Sequence, residues 1–260
     1  MIARGASGLL GAGCLAGAFA LAPPSFAALR EFGLWLLRPA ALPFAWRDLE
    51  RAAADGDAAE TFGRAQQILH LLPSWTDAQV VFAFRFATDD GNARTGDSAA
   101  RARAAGERMQ VALAWLESAR ASAGRREPEL LEAMAMLPEV LVQQYPGLRP
   151  ELAAAGGAAG YADRYLAEAE RISGSPAVRE QRTYLTPMVA AGLLAAGRRQ
   201  DAIAVLTTGI ARAADARDRE TATEWAARLD EVRRSLRGEA VDLGAVRADV
   251  RMAPLLPYLR

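Results

Sequence analysis

The chain is 260 residues long, 52% apolar and formally neutral, with 31 basic side chains facing 31 acidic ones. That balance argues against a nucleic-acid surface, which needs a net positive domain or a basic stripe. One Cys and one His leave no disulfide framework, zinc–thiolate site or His-based triad to build on. No Lys occurs, so every cation other than His70 is Arg. Ala, Leu, Arg and Glu dominate and all favour helices, while β-branched residues never alternate over a strand length. The expected fold class is all-α.

The first element is a leader over residues 1–30. Arg4 and Arg30 bracket a long uncharged stretch whose apolar run ends at Pro23-Pro24. Read as a signal peptide, it has a short basic start, an apolar middle and Ser25-x-Ala27 as the small-residue cleavage pattern. Read as a membrane anchor, it is long enough to span a bilayer with Arg4 on the cytoplasmic side. Either reading sends the rest of the chain out of the cytoplasm, to an inner-membrane-anchored, periplasmic or secreted position in the cell envelope. Residues 31–45 then read as a membrane-proximal connector, because the sequence around Trp35 stays apolar. Cys14 lies inside the leader, and the lipobox leucine position three residues before it is Gly11. The run from Gly11 to Ala16 mimics a dinucleotide fingerprint but lacks the preceding strand that this fingerprint requires.

From Trp46 onward, Gly, Pro and Asp breaks divide the chain into helices. The expected spans are 42–54, 58–71, 74–87, 98–123, 128–144, 161–172, 177–196, 200–214, 217–236 and 243–249. Pro128 suits a first helical turn, where its missing N–H is no loss. Residues 87–97 read as a polar loop, and residues 146–160, with Gly156, Gly157 and Gly160, as a flexible one. His70 stands between two leucines and reads as a partly buried helix histidine. Residues 252–259 form an apolar tail, expected to pack on the last hairpin.

Small residues at fixed offsets sharpen the picture. Over 183–214, Gly197 occupies an inter-helix turn, Ala202 follows it, Leu206 takes a large apolar position and Gly209 the next small one. Over 46–73, Gly56 is the turn residue, Ala65 and Ile68 face inward and Pro73 closes the unit, with Thr61 where Ala is usual. Both stretches resemble tetratricopeptide (TPR) repeats, helix hairpins of about 34 residues. The order of elements over 43–87 resembles membrane-anchored TPR-type proteins of bacteria. The resemblance implies antiparallel hairpins stacked as an α-solenoid over 46–260, preceded by a hydrophobic N-terminal helix. It implies a binding role and no reaction.

Candidate chemistry is sparse. Glu127, Glu129, Glu132, Glu168 and Glu170 are interleaved with arginines at helical spacing and read as solvated local ion pairs. Asp89-Asp90-Gly91-Asn92 has the start of a calcium loop without its remaining ligands and reads as a turn. No catalytic, cofactor or metal residues are assigned. About one aromatic per helix suits core packing, with a few left to line a groove for a protein or peptide. Arg47, Arg85 and Arg182 stand near aromatics and are the candidate grips for a partner's carboxylate. The expectation is a non-catalytic scaffold of the cell envelope. A helical-toroid enzyme acting on cell-wall or surface glycans, or a purely structural subunit of an envelope complex, is the alternative. A carboxylate pair within about 9.5 Å in a deep cleft would favour the enzyme, and a shallow groove lined by Arg, Asn and Tyr the scaffold.

Overall fold

The computed structural model describes residues 26–73, 75–88, 97–214 and 219–259. The leader features at residues 1–25 and the polar loop over 89–96 lie outside these. Eleven α-helices and no strand occur among the described residues, so the all-α expectation holds. No described helix is long and apolar enough to cross a membrane. Two compact units divide at Leu72/Pro73.

The first unit holds α1 (Phe26–Asp55) and α2 (Ala58–Leu71), packed as a hairpin. The α1 helix begins well before the expected residue 42 and runs through Pro39 and Pro43. Its turn into α2 works as the sequence suggests. Gly56 adopts φ +74°, a region that costs a β-carbon residue heavily. Asp57 then caps α2, its carboxylate accepting from the Glu60 N–H at 2.9 Å. Ala65 and Ile68 are buried as expected. His70 is not: Ile68 and Leu69 take the inward face of the last turn, and the imidazole points to solvent.

The second unit runs α3 (Thr76–Thr88), α4 (Ser98–Ala123), α5 (Glu127–Gln144), α6 (Arg149–Leu152), α7 (Gly157–Ser173), α8 (Pro176–Ala195), α9 (Arg199–Ala214), α10 (Arg219–Leu236) and α11 (Gly244–Ala248). Each long helix packs on the next long helix in the chain, from α3 on α4 through to α9 on α10. The expected flexible loop over 146–160 is instead a run of short helical turns: Pro146–Leu148, α6 and Ala153–Ala155. Pro146 and Pro150 sit at helix-start positions, and the fully buried Leu148 and nearly buried Leu152 pin these turns to the core.

Two apolar clusters fill the unit. Met109, Leu116, Leu131, Leu137 and Leu166 centre the first, between α4, α5 and α7. Leu206, Trp225, Leu229, Met252 and Leu255 centre the second, around α8, α9 and α10, and Leu185 of α8 packs against both. The apolar tail forms a 3-10 helix, Val250–Tyr258, seated on α8 with Met252 and Leu255 fully buried.

Close helix approach depends on missing side chains. Gly197 (φ +75°) closes α8 with a double backbone turn, Gly197 N–H to Leu194 C=O at 3.0 Å and Arg198 N–H to Leu193 C=O at 2.8 Å. Ala202 and Leu206 are fully buried on α9, and a β-carbon at Gly209 would overlap the Thr186 side chain of α8. A β-carbon at Gly192 would overlap the Gly156 carbonyl oxygen ahead of α7.

These contacts separate two glycine substitutions. Gly192→Ala meets fixed backbone and should destabilise the fold by about 1–3 kcal/mol. Gly63→Ala, inside α2 with open space around it, should stabilise by about 0.5–1 kcal/mol. Urea unfolding followed by circular dichroism measures both, and equal effects would refute the close-packing argument.

Candidate functional site, a cleft between α4 and α7

Two helices of the second unit turn polar stripes toward a shared cleft. On α4, Arg103, Glu107, Gln110, Ala114 and Glu117 recur every three or four residues, which places them on one face. On α7, Tyr161, Arg164, Tyr165 and Glu168 do the same. Helix α5 packs on both and supplies Leu131 to the floor. The space left is an open cleft of about 520 Å³. At Gln110 it adjoins a recess of about 210 Å³, and Arg103, Glu107 and Tyr161 line this recess, with Gly106 and Glu151, while the rest of the two stripes lines the cleft.

Side-chain bridges hold the two walls in register. Arg120 of α4 reaches Glu117 at 2.6 Å, Glu127 at 2.7 Å and Glu168 of α7 at 3.1 Å. Gln110 donates from Nε2 to the Tyr161 hydroxyl oxygen at 3.4 Å. Between these bridges, Arg164 lies over both tyrosine rings, 5.1 Å from the Tyr161 centroid and 4.7 Å from that of Tyr165. Its Nη2 donates to the Tyr165 hydroxyl oxygen at 2.9 Å. Burial pushes the Tyr165 hydroxyl above its ordinary pKa, so it remains a proton-bearing donor at neutral pH.

The Glu168 carboxylate is charged at neutral pH. Hydrogen bonds from Arg171, with further help from Arg120, pull Glu168 down to about 2. A second ion network lies between α7, α8 and α9. Arg182 donates from Nε to Asp163 at 2.9 Å and from Nη1 to Glu170 at 2.8 Å, while Arg179 reaches Glu170 at 2.7 Å and Arg212 reaches Asp163 at 3.3 Å. Burial alone would raise the Glu170 carboxyl; Arg179 and Arg182 together bring it below the ordinary range.

The structure does not gather the three arginines singled out from sequence. Arg47 is exposed on α1 in the first unit, over the Phe44 ring at 5.4 Å. Arg85 is exposed on α3. Arg182 is 15% exposed, and both edges of its guanidinium already hold the carboxylates of α7. The glutamates read as local pairs are mostly cross-helix ties, since Glu127, Glu168 and Glu170 meet arginines from other segments. Arg164 and Gln110 went unnoticed in the sequence. The available signal was the polar stripe on α4, which interrupts an Ala-rich helix at regular spacing.

Comparison with family models, with curated proteins and with solved structures finds no match for this chain.

The lowered pKa of Glu168 has a definite sign for stability. A folded-state value of about 2 against an ordinary 4.5 contributes stability above pH 4.5 that is lost as pH falls through 2. Carbon-detected NMR titration should show Arg171→Ala raising the Glu168 pKa more than Arg120→Ala. A wild-type value near 4.5, or the reverse order, would refute the assignment.

Proposed function

We propose that the chain is a non-catalytic scaffold of the cell envelope that holds another protein in the cleft between α4 and α7. The observation that carries this reading is the cleft itself: open, about 520 Å³, with an apolar floor and walls of Tyr, Arg, Gln and Glu. Long partner segments suit such surfaces, because apolar floor contacts give affinity while wall polar groups set register. The serial packing of helices supports a TPR-like stacking of hairpins. So do the hairpin turns at Gly56 and Gly197. The apolar leader, read as an anchor or signal, is the basis for an extracytoplasmic position.

The glycan-hydrolase alternative receives less support from the same residues. Glu117, Glu127 and Glu168 do converge, but on Arg120, which stands among them. A general acid needs its pKa raised toward the working pH, and Glu168 is shifted the other way.

The full-length chain, immobilised and exposed to envelope extract, should retain a discrete protein partner. Tyr165→Ala removes an aromatic anchor and should weaken retention by more than about tenfold, equivalent to a loss of some 1.4 kcal/mol. Ala114→Trp fills the cleft from an exposed position on α4 and should do the same. Val81→Ser, exposed on α3, should change nothing. Retention indifferent to both cleft variants, or release of sugars from cell-wall glycan by the purified chain, would overturn the proposal.

A further inference from the structure

We infer that Arg164, Tyr161 and Tyr165 form a carboxylate grip, and that the segment held in the cleft presents an aspartate or glutamate side chain to it. The inference rests on the binding reading above and adds the charge of the partner.

The argument starts from hydrogen-bond inventory. Each tyrosine hydroxyl can accept and can donate one proton. The Tyr161 oxygen already accepts from Gln110 Nε2, and the Tyr165 oxygen accepts from Arg164 Nη2. What each hydroxyl has left to offer a ligand is its own O–H. Arg164 has five N–H donors and no acceptor, and only one nitrogen, Nη2, is engaged. The three side chains therefore present donors alone. A cation would leave these donors unmatched and a neutral amide offers one uncharged acceptor oxygen, whereas a carboxylate supplies two charged acceptor oxygens and no donor.

Geometry adds to the inventory. The guanidinium carbon lies over two aromatic rings and Nη2 is tied to the Tyr165 hydroxyl, which together hold the group in place and leave Nη1 and Nε for a ligand. Holding it there in advance removes most of the ordering cost that a free arginine side chain bears on binding. The acids nearby do not satisfy it. Glu117 and Glu168 are drawn to Arg120, and Glu168 also to Arg171. Among the described residues Arg164 has no carboxylate partner, in contrast to Arg120, Arg171 and Arg182.

The probe is a pair of peptides that differ in one group, acetyl-Gly-Glu-Gly-amide and acetyl-Gly-Gln-Gly-amide. Each is titrated into the full-length protein carrying carbon-labelled tyrosine rings. The Glu peptide should shift the Tyr161 and Tyr165 ring signals saturably, and the Gln peptide should bind at least tenfold more weakly. Arg164→Gln should lower Glu-peptide affinity at least tenfold. Arg164→Lys should restore part of it, because a point charge replaces a bidentate fork, and Tyr165→Phe should cost a few-fold. Equal binding of the two peptides, or Arg164→Gln binding like wild type, would overturn the grip. Retention of the protein partner tells the two proposals apart. Loss with Ala114→Trp but not with Arg164→Gln leaves the cleft as a binding site and removes the grip, while indifference to both variants removes both.

Discussion

The second unit depends on how closely its helices can approach one another. Ala faces and glycine gaps bring backbones together at Gly192 against Gly156 and at Gly209 against Thr186. At these two points a larger side chain has no room, and Leu and Met fill the remaining space between the helices in two clusters. The same spacing puts side chains from one helix within reach of backbone at the end of another. Arg199 donates to the Leu236 carbonyl that ends α10, and Arg108 to the Ala87 carbonyl near the end of α3, at 3.3 Å. Both satisfy carbonyls that a helix end leaves orphaned.

An arginine-only complement of cations suits this arrangement. One guanidinium can bind several acceptors in fixed directions, and Arg120 and Arg182 each tie helices that are not chain neighbours or lie across a turn. Lysine, as a compact point charge, would not impose the same geometry. The cleft follows from this bracing: α4 and α7 are held by Arg120 and Gln110 at its sides, with α5 beneath.

Much of this was legible in the sequence, and the rest was hidden for stated reasons. Ser98 and Ala123 bound α4 as expected because Asp97 caps its start and Gly124 (φ +57°) stops it. Gly56 and Gly197 mark hairpin turns because only glycine reaches that backbone region cheaply. Composition around Gly156 suggests looseness, yet the glycines there permit tight packing against α8. The two leucines that flank His70 say nothing about which way a last turn points, and the imidazole faces solvent. The cleft was partly visible, as a polar stripe on α4. Its other wall was not, since no local pattern reveals that α4 and α7 share α5 as a neighbour. Arg182 looked available for the same reason, its partners Asp163 and Glu170 being distant in sequence.

The 3-10 segment Val250–Tyr258 reaches back past α9 and α10 to lie on α8. Its Met252 and Leu255 complete the cluster around Trp225, while Arg251 covers the indole face at 4.6 Å and is itself held by Asp249. During synthesis on the ribosome, α8, α9 and α10 emerge before the residues that finish their shared core. The first cluster, made almost wholly of earlier residues, can consolidate while translation continues. The second must wait, with Trp225 lacking its cover from Arg251, Met252 and Leu255, until residue 255 has cleared the exit tunnel.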